Sequence, residues 1–121
     1  MVAIVSEDAQ FRQSVKELVE SAGLEANTFP TLQAVLDAEE PKACGCLVFH
    51  SEANALSDPV QQARLRLVCA GRGGILVTEQ GNFRTVVQAL KAGIKDVLLK
   101  PYRDGELLKQ ILNLDGDLSH I

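Results

Sequence analysis

No apolar run in this 121-residue chain approaches the roughly 18 residues that a membrane-spanning helix needs. Nothing at its start has the pattern of a signal peptide, since Met1 leads directly into strand-like Val2-Ala3-Ile4-Val5. The expectation is a cytoplasmic protein with no membrane contact. Positive charge is also scarce. There are 12 Lys and Arg against 16 Asp and Glu, a net charge of -4 at pH 7. Nucleic-acid binding needs a concentrated basic face, and none is visible, so this domain is not expected to touch nucleic acid. Cysteines number three. Cys44 and Cys46 sit two apart in a strand-like stretch, a poor geometry for a disulfide. Zinc held by Cys44, Cys46 and His50 fails on reach. Extended chain rises about 3.3 Å per residue, which separates Cys44 from His50 by roughly 20 Å, while zinc ligands lie within about 2.3 Å of the ion. Buried apolar thiols in a reducing compartment are the expectation. A phosphate loop is missing too. Gly71-Arg72-Gly73-Gly74 precedes a strand, whereas phosphate cradles lie between a strand and a helix N-terminus; a turn is expected there.

What is present is an ordinary globular composition, 46% hydrophobic and 23% charged. The length suits one domain with one core. Residues 1–113 are read as that domain, and 114–121 as a tail or linker stub. Apolar runs alternate with amphipathic stretches five times. Val2–Val5, Leu24–Thr28, Cys46–Phe49, Ile75–Val77 and Val97–Leu99 read as strands. Asp8 is an N-cap for a helix with Phe11, Val15, Leu18, Val19 and Ala22 inward, stopped by Gly23. Thr31 starts a short second helix through Leu32, Val35 and Leu36, with Pro41 beyond its end. Ser57 or Asp58 caps a third, with Pro59 first and Val60, Ala63, Leu67 and Val68 inward. Gly81 or Asn82 opens a fourth, with Phe83, Val86, Val87 and Leu90 inward and Gly93 as its stop. Asp104 caps the last, which carries Leu107, Leu108, Ile111 and Leu112.

Five strands alternating with five helices imply a parallel sheet covered on both faces. Right-handed crossovers then give a flavodoxin-like, doubly wound (βα)5 fold with strand order 2-1-3-4-5. The functional crevice of such a sheet lies at the carboxyl ends of its strands. That rim gathers Ser6, Glu7, Asp8, His50, Ser51, Thr78, Glu79 and Lys100.

Three stretches carry a resemblance. Ile75-Leu76-Val77-Thr78 ends a strand in a hydroxyl. Ala89-Leu90-Lys91-Ala92-Gly93 is followed by Asp96. Val97-Leu98-Leu99-Lys100-Pro101-Tyr102 ends in Lys-Pro-aromatic. Over residues 2–112 the chain resembles the receiver domain of bacterial response regulators, and within it the FixJ-like branch. The gaps from His50 to Thr78 and from Thr78 to Lys100 match that family without insertions. The resemblance implies a non-enzymatic module of two-component, phosphorelay signal transduction. It also implies a cis Lys100–Pro101 bond.

An active receiver, by the same resemblance, binds magnesium with two acidic residues after strand 1 and an acceptor Asp after strand 3. Its Thr and Lys then hold the phosphoryl oxygens. Here those positions are Ser6, Glu7 (with Asp8 next), His50, Thr78 and Lys100. Glu79 stands where a small residue is usual, and Val97 where an aromatic reporter is usual. The site is therefore read as degenerate: Glu7, Asp8, His50, Thr78 and Lys100 remain around it with no catalytic residue. No cofactor is expected. Magnesium binding should be weak or absent, Glu7 and Asp8 being its only weak candidates. Lys100 should take a resident carboxylate, Glu79 first. Restoring the acceptor by His50→Asp alone should fail, while Ser6→Asp, His50→Asp and Glu79→Ala together should suffice.

The function expected is that of a pseudo-receiver signalling through protein contacts without Asp phosphorylation, as a regulatory domain of a longer transcription regulator. Its alternative is a divergent but active phosphoacceptor using Ser51, Glu52 or Asp58. A flavodoxin-like ligand-binding protein is a third reading. The resemblance places the contact, with a protein partner or a second copy, on helix 4, strand 5 and helix 5. Arg84, Gln88, Lys91, Lys95, Arg103, Glu106, Lys109 and Gln110 are offered there.

Overall fold

The computed structural model describes residues 1–38, 45–51, 56–70 and 72–115, the side chain of Asp115 excepted. Cys44, Glu52, Gly71, Pro41 and the tail past 115 lie outside the described residues. Strands β1 (Val2–Val5), β2 (Ala26–Phe29), β3 (Cys46–His50), β4 (Gly73–Glu79) and β5 (Asp96–Lys100) alternate with helices. The helices are α1 (Ala9–Ser21), α2 (Leu32–Asp37), α3 (Pro59–Cys69), α4 (Phe83–Ala92) and α5 (Asp104–Asp115). All strands run parallel in the order β2-β1-β3-β4-β5, the flavodoxin-like topology expected.

The period of two along each strand sorts the core into two layers. Ala3, Val5, Leu47, Phe49 and Leu76 face one side, covered by Leu32 and Val35 of α2, Leu65 and Val68 of α3, and Ala89 and Ala92 of α4. Val2, Ile4, Cys46, Val48, Ile75, Val77 and Leu98 face the other, covered by Val15 and Val19 of α1 and by Leu107 and Ile111 of α5.

Local signals set the helix ends. The Asp8 carboxylate accepts from the N–H groups of Gln10 and Phe11. Thr31 Oγ1 accepts from Ala34 N–H, and Asp58 from Val60 N–H with Pro59 first in α3. Gly23 and Gly93 end α1 and α4 with φ of +84° and +110°, where a side chain would be strained. At α5 the cap differs from the one expected. Asp104 is the first helical residue, and Glu106 reaches back to accept from Arg103 N–H at 3.2 Å. The helix continues through Leu114, which packs on the second core layer.

Two helices present a different face from the one the spacing suggested. In α3 the buried residues are Leu65, Val68 and Cys69, while Val60 and Leu67 are exposed. In α4 they are Thr85, Ala89 and Ala92, with Val86 half-buried, while Phe83, Val87 and Leu90 are exposed. Both helices carry apolar residues on two faces, so periodicity alone cannot choose between them. In α4 the face with small Ala89 and Ala92 lies against the sheet, which lets the helix approach closely.

Gly73 and Gly74 are not a turn; they open β4. A Cβ at Gly74 would stand 3.3 Å from Ile94 and 3.5 Å from the Cys69 sulfur, and one at Gly73 would stand 2.9 Å from Leu114. The glycines let the strand pass beneath α3, the α4–β5 connection and α5. Burial pushes the Cys69 thiol from 9.0 up to about 11, partly offset by the nearby Arg72 charge. The folded chain thus holds this proton longer than the unfolded one. The stability it contributes is intact below pH 9.0 and falls as pH rises through about 11. Iodoacetamide at neutral pH is expected to spare Cys69 in the folded chain and alkylate it in urea. Equal labelling rates in the two states would contradict its burial.

Candidate functional site

Four residues expected at the rim share one strand phase. Ser6 follows Val2 and Ile4, His50 follows Cys46 and Val48, Glu79 follows Ile75 and Val77, and Lys100 follows Leu98. All therefore turn to the side of the sheet covered by α1 and α5. There the structure brings two of them, His50 and Lys100, to a residue read only as core, and a third, Ser6, to His50. Phe11, in the first turn of α1, stacks on the His50 ring with centroids 4.0 Å apart and planes 12° from parallel. Lys100 Nζ lies 5.9 Å from the centroid of the same Phe11 ring, near the outer limit of a cation–π contact. Ser6 Oγ lies 2.8 Å from His50 Nδ1. Both Ser6 and His50 are buried, His50 with 5% of its surface exposed.

Ser6 is itself held from two sides. Its hydroxyl oxygen accepts from Asp8 N–H at 3.0 Å, and its carbonyl accepts from the Arg12 guanidinium. Glu79 and Lys100 are register partners across β4 and β5. Lys100 Nζ stands 3.9 Å from Glu79 Oε1, with 30% and 66% of the two side chains exposed. This is the carboxylate expected for Lys100. At such exposure the pair is worth at most about 1 kcal/mol. The Lys100–Pro101 bond is cis.

Thr78 lies in the opposite phase, in step with Leu76, and is fully buried. Its hydroxyl donates to the Ser51 carbonyl at 3.1 Å and accepts from Asn82 Nδ2 at 3.1 Å. Asn82 Oδ1 in turn accepts from Thr85 Oγ1 at 2.9 Å. Ser51 N–H closes the network on the Val77 carbonyl. Thr78 thus ties the end of β3 to the start of α4, and its hydroxyl is committed to that bridge. Asn82 and Thr85 went unnoticed in the sequence as its partners. The signal was present, since Asn82 lies four residues past Thr78 and one helical step before α4.

Magnesium does not fit these residues. A hard cation wants converging oxygen anions. Here Ser6 and His50 are bonded to each other, the Asp8 carboxylate is turned to the N-terminus of α1, and Glu7 is exposed. Among the described residues no group of three or more His, Cys, Asp or Glu is placed to hold a metal ion. Asp58, the carboxylate eight residues past His50, caps α3. Ser51 is buried, and Glu52 lies outside the described residues.

The eight interface candidates differ in their surroundings. Arg84 and Gln88 line a groove between α4 and the start of α3. Lys91, Lys95, Arg103, Glu106 and Lys109 are exposed, and Gln110 is half-buried. Val97, in the place of the aromatic reporter, is half-buried against the first core layer. Among the described residues no helix is long and apolar enough to cross a membrane.

No family model matches the chain. Nodulation protein W of Bradyrhizobium diazoefficiens is 32% identical over 112 residues, which cover 93% of this chain and 49% of that protein. The response regulator protein TodT of Pseudomonas putida is 29% identical over 111 residues, covering 92% and 49%. The chain spans about half the length of the curated relatives it matches. A response regulator receiver domain protein from Clostridium thermocellum shares the fold with a TM-score of 0.78, at 20% identity over 98% of this chain and 95% of that one. Fold, strand order and these relatives together make the chain a distant member of the response-regulator receiver-domain family, with a third strand, Cys46–His50, that contains no aspartate.

Proposed function

We propose that this domain is a pseudo-receiver, a signalling module that works through protein contacts without phosphorylation of an aspartate. One observation carries the reading. The crevice where a receiver would hold its metal and nucleophile is filled by the Ser6–His50 hydrogen bond and the Phe11 ring stacked upon it. A phosphodonor meets there an imidazole, a hydroxyl and an aromatic face in place of a carboxylate and a cation. The family is one of non-enzymatic signalling domains, which supports a regulatory role. The relatives are about twice as long as this chain. That supports a regulatory domain of a longer transcription regulator, as the FixJ-like resemblance implies. The second reading, a divergent phosphoacceptor, draws no support from Asp58 or Ser51, for the reasons of geometry above.

The contact face proposed first is α4, β5 and α5. Lys91, Lys95, Arg103 and Lys109 are exposed there, with Glu106 beside them and the exposed Leu99 on β5. A mostly basic rim on an acidic protein suits an electrostatically steered, salt-sensitive contact. Lys91→Glu with Arg103→Glu is expected to weaken self-association, or partner capture by the full-length parent, about tenfold or more. The melting temperature should stay within a degree or two of the parent, since both residues are exposed. Sedimentation and pull-down check this, and unchanged binding in both would remove the face from the reading.

A further inference from the structure

Helices α3 and α4 pack beside each other over the same core layer, and both turn apolar residues outward. These are Val60 and Leu67 on α3, and Phe83, Val87 and Leu90 on α4. Phe83 is 76% exposed and Leu67 64%. Between α4 and the start of α3 lies a groove of about 490 Å³, lined by Leu56 and Ser57 just before α3, by Gln62 of α3, and by Phe83, Arg84, Thr85, Val87 and Gln88 of α4. Large apolar side chains scattered singly over a surface are ordinary, but a run of them on two adjacent helices beside a groove marks a contact site.

The charges on the two helices have one sign. Residues 59–69 and 83–92, the whole of α3 and α4, contain Arg64, Arg66, Arg84 and Lys91 and no Asp or Glu. The chain as a whole carries -4, so basic charge gathers here against the overall balance. Among the described residues, two nearby carboxylates already have contacts within the chain. Asp58 accepts from Val60 N–H at 2.9 Å, and Glu79 faces Lys100.

We propose that the α3–α4 groove docks an acidic amphipathic α-helix from a protein partner. The proposal rests on the contact-signalling reading but uses a different face from α4–β5–α5. A helix presents anchors at i, i+3 or i+4, and i+7 along one edge, which suits an apolar cleft between two helices. Glutamates flanking those anchors would meet Arg84 in the groove wall, with the exposed Arg66 further along α3. A flat anionic membrane fits less well. It would touch the ridges at Leu67 and Phe83 but leave the cleft itself unfilled. A second copy fits poorly too. The described helices of this chain that carry exposed acids, α1, α2 and α5, bury Val15, Val19, Leu32, Val35, Leu107 and Ile111 in their own core.

The test titrates the chain with a labelled helical peptide of roughly 16 residues, long enough to hold a helix, bearing Leu at i, i+3 and i+7 and Glu between. Its control is the same peptide with Lys for Glu. The acidic peptide should bind at least about tenfold tighter than the basic one, a gap of about 1.4 kcal/mol, and lose that advantage as salt rises. Val87→Asp and Phe83→Ser should each abolish saturable binding. Arg66→Glu with Arg84→Glu should reverse the preference between the peptides. Arg103→Glu with Lys109→Glu should leave it unchanged. Equal affinity for the two peptides, or no saturable binding, overturns the proposal. So does capture by anionic phospholipid vesicles that outcompetes the acidic peptide, or a concentration-dependent dimer dissolved by Leu67→Glu. Loss of binding on Arg103→Glu with Lys109→Glu would move the site to the α4–β5–α5 face. Phosphorylation of the chain by a small donor would refute the contact-only reading and leave these binding outcomes standing.

Discussion

Acetyl phosphate with magnesium is expected to leave the intact mass of this chain unchanged. The nucleophile of a receiver is a carboxylate beside a divalent cation, and β3 offers none. His50 is buried with Ser6 against Nδ1 and Phe11 across its face. The acids of the β1–α1 turn are spent or exposed, since the Asp8 carboxylate holds the first N–H groups of α1. Thr78 and Lys100 stand at their positions, but the Thr78 hydroxyl is committed to Ser51 and Asn82. A gain of one phosphoryl, removed by Asp58→Asn, would sink the pseudo-receiver reading.

The same geometry predicts what restoration requires. His50→Asp alone puts a carboxylate into a buried site with no cation, where desolvation raises its pKa and weakens it as a nucleophile. Adding Ser6→Asp and Glu79→Ala supplies ligands and an opening, and from the sequence these three changes looked sufficient. The structure adds Phe11, whose ring stacks on His50 and lies 5.9 Å from Lys100 Nζ, beside the space a phosphoryl would enter. Magnesium-dependent phosphorylation is expected only when Phe11→Ala joins the other three. Robust phosphorylation of the single His50→Asp variant would show that neither the missing ligands nor the ring obstructs the site.

The partners of Phe11 are not legible in the sequence, whereas much of the rim is. The strand phase of Ser6, His50, Glu79 and Lys100 could be read directly, because a period of two assigns each side chain to a face once the strand is placed. Asp8 as an N-cap and Gly93 as a stop were equally legible, since capping and positive φ act within a few residues. Phe11 was correctly placed on the inward face of α1. What that face meets at the carboxyl edge of the sheet depends on how α1 packs across it, a tertiary fact with no local signature. The glycines before β4 were misread for a similar reason. Gly73 and Gly74 signal a turn locally, but here they relieve contacts with Leu114, Ile94 and Cys69, residues near in space and remote or unremarkable in sequence. The faces of α3 and α4 were misread because apolar residues line both sides of each helix.

The orientation of α3 is open to a direct measurement with two leucines two positions apart. Leu65→Ala is expected to destabilise the chain by about 2–5 kcal/mol, the cost of removing a fully buried leucine and leaving a cavity. Leu67→Ala should change stability by no more than about 0.5 kcal/mol, because its side chain already faces water. Urea unfolding separates the two if the slope against denaturant stays constant. A large loss for Leu67→Ala would mean that α3 is turned about its axis from the orientation described, and that Val60 and Leu67 pack inward as their spacing first suggested. With the expected result, Leu67 is an exposed leucine that folding does not use, on a helix with two arginines and no acid. Loss of acidic-helix binding on Leu67→Ala, with stability unchanged, would then separate contact from core along a single helix.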